Sequence, residues 1–133
     1  MISVKKQIRL KKSTHTIIEE NPLVIKIEST QGEFNEVDDT IAMRDTNIEL
    51  SQGRPYFILL DTTNGYAAST PEANKLLASK EFSGNRQAIA IIARSLASKI
   101  VSNFFIQFNK PHTPTKVFTN EASAIDWIRS FLK

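Results

Sequence analysis

Two apolar runs of strand length decide most of what this chain can become: YFILLD at residues 56–61, closed by an acid, and AIAIIA at residues 88–93. Neither alternates polar with apolar residues, so each predicts a central strand buried on both faces, in a sheet covered by helices. Between them Thr70-Pro71-Glu72 is a helix start, with a hydroxyl cap, proline at the first helical position and an acid in the first turn. A strand, a helix and a second strand in that order predict neighbouring parallel strands.

The flanking segments extend the pattern. Residues 4–10 read as a short strand with a basic exposed face, and the β-branched stretch 14–18 as a second strand. After a turn at 19–22, residues 23–28 alternate, with Leu23, Ile25 and Ile27 on one face and Val24, Lys26 and Glu28 on the other. These three runs predict an antiparallel meander. A helix is expected over 33–51, its apolar stripe formed by Phe34, Val37, Ile41, Met43 and Ile48, and ended by Gly53 and Pro55. Ala73, Leu76 and Leu77 supply the buried stripe of the helix after Thr70, and 82–85 reads as a loop. Ser95 caps a helix in which Leu96, Ile100, Phe104 and Phe108 fall at four-residue steps, widened by Val101 and Phe105. A last strand over 115–118 precedes a helix capped by Thr119, with Ala122, Ile125, Trp127 or Ile128, and Leu132 facing inward. The expectation is an α/β mixed sheet, antiparallel strands followed by βα units. It forms one domain over residues 1–133, with 1–22 as an N-terminal strand or hairpin extension.

Several function classes drop out. The chain has no cysteine and only two histidines, His15 and His112, which leaves no thiolate metal site, no disulfide and no all-histidine zinc site. No window approaches the roughly 20 apolar residues of a membrane span, and no signal peptide opens the sequence, so a cytoplasmic location is expected. Phosphate-loop, dinucleotide-binding, zinc-protease and G-x-S-x-G motifs are absent. No catalytic residue, metal or cofactor is therefore assigned. Residues 1–66 carry eight basic and ten acidic side chains, residues 67–133 nine and four. The basic cluster Lys5, Lys6, Arg9, Lys11 and Lys12 has no interleaved aromatics, and nine acids follow between Glu19 and Glu49, so no nucleic-acid partner is expected.

The stretch YFILLDTTNGYAASTPEANKLL resembles the SpoIIAA-like fold of STAS domains, the anti-sigma-factor antagonist modules. In those an apolar strand ends in Asp, a Gly-containing loop follows, and a hydroxyl residue opens the next helix. Here Asp61, Gly65 and Thr70 fall at these places, and Leu76 and Leu77 match the buried pair of the helix. The ending FNKPHTPTKVFTNEASAIDWIRSFL resembles a group of uncharacterised bacterial STAS-like proteins. The resemblance implies a regulatory module without enzyme activity that meets a protein partner through the segment from Asp61 to Thr70. The sequence departs from it beside the helix start, where Ser69 precedes Thr70, and Pro71 and Glu72 follow. Glu72 puts bulk and negative charge where the family has a small residue.

Each candidate has a plain structural alternative. Ser69 and Thr70 suit phosphorylation at a helix N-terminus, or simple capping. Asp61 ends a strand where α/β sheets place ligands, or bonds a loop amide. Val101 and an exposed Phe105 mark a partner or homodimer face, or belong to a wide core stripe. The alternative function is a small-molecule or lipid carrier with an apolar pocket beneath Phe104 and Phe108. His112 lies in a proline-rich loop with no sequence-local partner, and His15 in a threonine-rich strand likewise.

Overall fold

The computed structural model describes residues 6–29, 35–64 and 69–132. Three strands come first, β1 (Gln7–Arg9), β2 (Ser13–Glu20) and β3 (Leu23–Ser29). Then follow α1 (Val37–Ser51), β4 (Tyr56–Asp61), α2 (Pro71–Ala78), a single turn α3 (Lys80–Ser83) and β5 (Arg86–Ile92). Helix α4 (Leu96–Asn109), β6 (Thr115–Phe118) and α5 (Glu121–Ser130) close the chain. The strands form one six-stranded sheet in chain order. β1, β2 and β3 pair antiparallel; β3, β4, β5 and β6 pair parallel. The expected meander and the expected central pair β4–β5 are both present.

The register explains why the two apolar runs are unbroken. Ile25, Ile58 and Ile89 stand side by side across β3, β4 and β5 and belong to a core that also holds Ile27, Leu50, Tyr56 and Ile91. The opposite parity gives Val24, Phe57, Leu59, Ala88, Ala90 and Ile92, packed on Ala124, Ile125 and Ile128 of α5. Ala88 and Ala90 have no exposed surface; their small side chains let α5 lie close to the sheet. Right-handed crossovers between consecutive parallel strands put α1, α2 and α4 on one face, consistent with α1 touching α2 and α2 touching α4.

Four helices differ from expectation. Helix α1 begins at Val37, not at residue 33, because Glu36 and Asp39 form a capping box in which the Glu36 N–H donates to Asp39 at 2.8 Å. That accepted N–H and the Lys12 ammonium, 2.8 Å away, hold the Asp39 carboxyl below its usual value. Its buried residues are Thr40, Thr46, Asn47, Leu50 and Ser51, while Ile48 is 50% exposed; Phe34 lies outside the described residues. The buried hydroxyls are tolerated because Thr40, Thr46 and Ser51 donate to the carbonyls of Glu36, Ala42 and Ile48 in their own helix. Residues 82 and 83, read as loop, belong to α3, whose cap Ser79 accepts from the Phe82 N–H. Helix α5 is capped by Asn120 in place of Thr119, and buries Ala124, Ile125 and Ile128 while Ala122 and Leu132 are exposed.

Helix α4 is turned furthest from its predicted orientation. Ser98, Ser102 and Phe105 face inward, and Val101 is half-buried. Leu96, Ile100, Phe104 and Phe108 are 74%, 59%, 56% and 67% exposed. The helix lies against α2 and the four-residue edge strand β6, which offer too little surface to cover four bulky side chains. Two serines on the inner face let the backbones approach.

Candidate functional site

The start of α2 is fixed to the start of α1. Ser69 bridges to Asn35, and the Thr70 N–H donates to the Asn35 carbonyl at 3.0 Å. The Thr70 Oγ1 accepts from the Ala73 N–H at 3.2 Å, the capping bond expected from the sequence. Thr70→Ala is expected to cost about 1 kcal/mol, read as a lower urea midpoint. Ser69 and Thr70 are half-buried and Glu72 is exposed; Gly65 lies outside the described residues.

Asp61 does not join them. Strand parity sends its side chain to the α5 face, with Phe57 and Leu59. There its carboxylate accepts from the Thr63 N–H at 2.9 Å and lies 3.5 Å from Arg94 and 3.8 Å from Lys26. Lys26 also pairs with Glu121 at 2.9 Å. Burial works against the Lys26 charge, but Glu121, Glu28 and Asp61 outweigh it and hold the ammonium above its ordinary value. The cluster is charge-balanced and ties β3, β4 and α5 together, with the loop-amide bond that a lone aspartate at a strand end predicts.

Nor do Val101 and Phe105 form an exposed pair, since Val101 is half-buried. Phe105 is only 8% exposed, because the rotation of α4 turns it inward. The apolar residues presented outward are Leu96, Ile100, Phe104 and Phe108, with the rings of the last two stacked 4.1 Å apart. A shallow groove of about 520 Å³ between Phe108 and Asn109 on one side and Pro71, Lys75, Ala78 and Ser79 on the other joins this stripe to α2.

A separate cavity of about 70 Å³ lies between α1, α2 and the sheet, not beneath Phe104 and Phe108. Ile27, Met43, Ile58, Leu60, Leu77 and Ile89 give it apolar walls, and Asn35, Asn47, Tyr56, Ser69 and Arg86 add polar groups. Burial brings the Arg86 guanidinium down to about 10, the nearby Tyr56 opposing the shift. It remains charged at neutral pH. Burial also raises the Tyr56 phenol. Asn35 and Arg86 carry no local sequence signal: Arg86 precedes the apolar run as one of three polar residues, and its burial depends on pairing with distant strands.

His15, without a partner in its own segment, is fully buried between Ser13 and Asn47, its ring nitrogens 2.8 Å from each. Among the described residues no group of three or more His, Cys, Asp or Glu is placed to hold a metal ion, and no helix is long and apolar enough to cross a membrane.

Among solved structures, the chain is similar to an uncharacterized protein from the DUF3478 family with a SpoIIAA-like fold, from Shewanella loihica PV-4. Identity is 15%, 93% of this chain and 91% of that chain are covered, and the TM-score is 0.57. At that identity the likeness concerns the fold alone. No curated protein matches the chain. A family model described as "Domain of unknown function (DUF7793)" matches residues 17–132. The six-stranded mixed sheet with its five helices is thus a SpoIIAA-like fold, and the match from the second half of β2 through every helix makes the chain a member of the DUF7793 family.

Proposed function

We propose that the chain is a non-enzymatic interaction module that binds a protein partner through the outer face of α4 and the adjoining groove along α2. The observation that carries this reading is the row of four large apolar side chains, Leu96, Ile100, Phe104 and Phe108, each more than half exposed. Leaving such a row in water is unfavourable by about 25 cal/mol per Å² of apolar surface, and contiguous exposed patches mark interaction sites. The charges choose the partner. α4 and its flanks carry Arg94, Lys99 and Lys110 and no acid, and the groove adds Lys75. A second copy would bring cations against cations. A protein offering an apolar strip edged by carboxylates fits both features. Pro71, which lines the groove, lies between Thr70 and Glu72 in the sequence, and on this reading the start of α2 is the part of the expected Asp61–Thr70 segment nearest the partner.

A photo-reactive residue in place of Phe104 in the full chain is expected to capture one protein from extract of the native cell. The adduct should vanish in high salt and in a Phe108→Glu background whose melting temperature is unchanged. Cross-links to a second copy, capture by anionic lipid vesicles, or an adduct indifferent to Phe108→Glu would each overturn the reading.

A further inference from the structure

Strand β5 contains an irregularity that bears on the cavity beneath α1. Tyr56 pairs with Arg86 but Phe57 pairs with Ala88, so Gln87 is an extra residue on β5. Strict alternation from Ala88 and Ala90 would place Arg86 on the α5 face. The bulge instead turns it into the cavity, beside Tyr56 and Ile89. Bulges of this kind re-aim side chains at functional sites.

What the re-aimed side chain meets is incomplete. Arg86 is 6% exposed, and among the described residues no carboxylate lies within ion-pair distance of it. Its Nε donates to Thr113 Oγ1 at 2.9 Å and one Nη to the Leu77 carbonyl at 3.1 Å; among the described residues the rest of its donor fork meets no acceptor. A buried cation is expected to be paired. On the same cavity wall Asn35 is 9% exposed, and its Oδ1 is buried without a hydrogen-bond partner among the described residues. Such an orphaned acceptor calls for a donor. The rest of the lining is mostly apolar, with Arg44, Asn47, Tyr56 and Ser69 adding polar groups, and the volume is several times the roughly 10–15 Å³ that one water requires.

From these three observations we infer that the cavity binds a small aliphatic carboxylate bearing a hydroxyl group, its carboxylate held by Arg86 and its hydroxyl donated to Asn35 Oδ1. The planar fork of arginine matches a carboxylate, and the branched apolar walls match a short aliphatic body better than a long acyl chain.

The test uses the full ¹⁵N-labelled chain and three probes: 2-hydroxyisocaproate, isocaproate and 2-hydroxyisocaproamide. The hydroxy acid is expected to give saturable amide shifts at Asn35, Asn47, Tyr56 and Arg86 but not along α5, and the neutral amide to bind about tenfold more weakly or worse. In Asn35→Ala the hydroxy acid and isocaproate should bind alike. Arg86→Gln should abolish the preference for the acid over the amide; if that variant does not fold, the comparison of acid with amide on the unaltered chain decides. No saturable shift at about 10 mM, far beyond a specific affinity, overturns the site. Equal binding of acid and amide overturns the role of Arg86, and equal binding of the two acids to the unaltered chain overturns that of Asn35.

Discussion

Leu59→Ala is expected to destabilise the chain by about 2–5 kcal/mol, read as a large fall in the urea midpoint. Leu59 has no exposed surface and sits in the central strand, between Lys26 of β3 and Ala90 of β5, facing α5. Its neighbours there are small or already close-packed: Ala88, Ala90 and Ala124 have no further side chain to swing into a void. The cavity term is therefore retained in full. Leu96→Ala removes the same atoms from a side chain that is 74% exposed, and is expected to change stability by no more than about 0.5 kcal/mol. Two leucines of equal hydrophobicity thus differ several-fold in effect through position alone. Comparable losses from both would mean that the α4 face is packed and not free to bind.

The second large effect lies in the buried polar contact between β2 and α1. With Asn47 Oδ1 as acceptor, His15 Nδ1 carries the proton and Nε2 accepts from the Ser13 hydroxyl. Asn47→Ala leaves that N–H buried and unpaired, at a cost of about 1–3 kcal/mol. The pH dependence follows from the same contact. Burial lowers the His15 pKa below its ordinary 6.5, the bond to Asn47 opposing the shift. The unfolded chain therefore takes up a proton at a pH where the folded chain does not. This contribution is complete above about pH 6.5 and is lost progressively as pH falls from there toward the folded value. Urea midpoints measured between pH 7.5 and 5 check it: they should fall toward acid, and the His15→Gln variant should show a shallower slope. The lowered Asp39 carboxyl acts in the more acidic carboxylate range and does not obscure this window.

Legibility in the sequence tracked how local the determining physics is. Strands β3, β4 and β5 could be read because burial on one or both faces is written as alternation or as an unbroken run. The α2 start could be read because a cap, a proline and an acid act within one turn. The inward faces of α1 and α4 could not. Periodicity assigns the apolar side of a helix to the core, but α1 buries hydroxyls that satisfy themselves on its own carbonyls, and an asparagine whose partner lies 32 residues away. Helix α4 rests on a short edge strand, so its most apolar side faces out. That inversion buried Phe105, half-buried Val101, and left Leu96, Ile100, Phe104 and Phe108 in water. The separation of Asp61 from Ser69 and Thr70 was implicit in the alternation of β4, whereas the placement of Arg86 depended on a bulge that no spacing announces.

The strand order has a consequence for how the molecule is assembled. Every strand lies beside its predecessor in the chain, so no pairing has to wait for a later strand, and the sheet can grow in chain order, by tight turns for the antiparallel strands and by helix crossovers for the parallel ones. One layer waits: Val24, Phe57, Leu59, Ala88 and Ala90 stay uncovered until α5, which follows all six strands in the chain, folds back over β4, β5 and β6. Until then that apolar sheet face is open to water, which makes it the surface most prone to non-native association during folding.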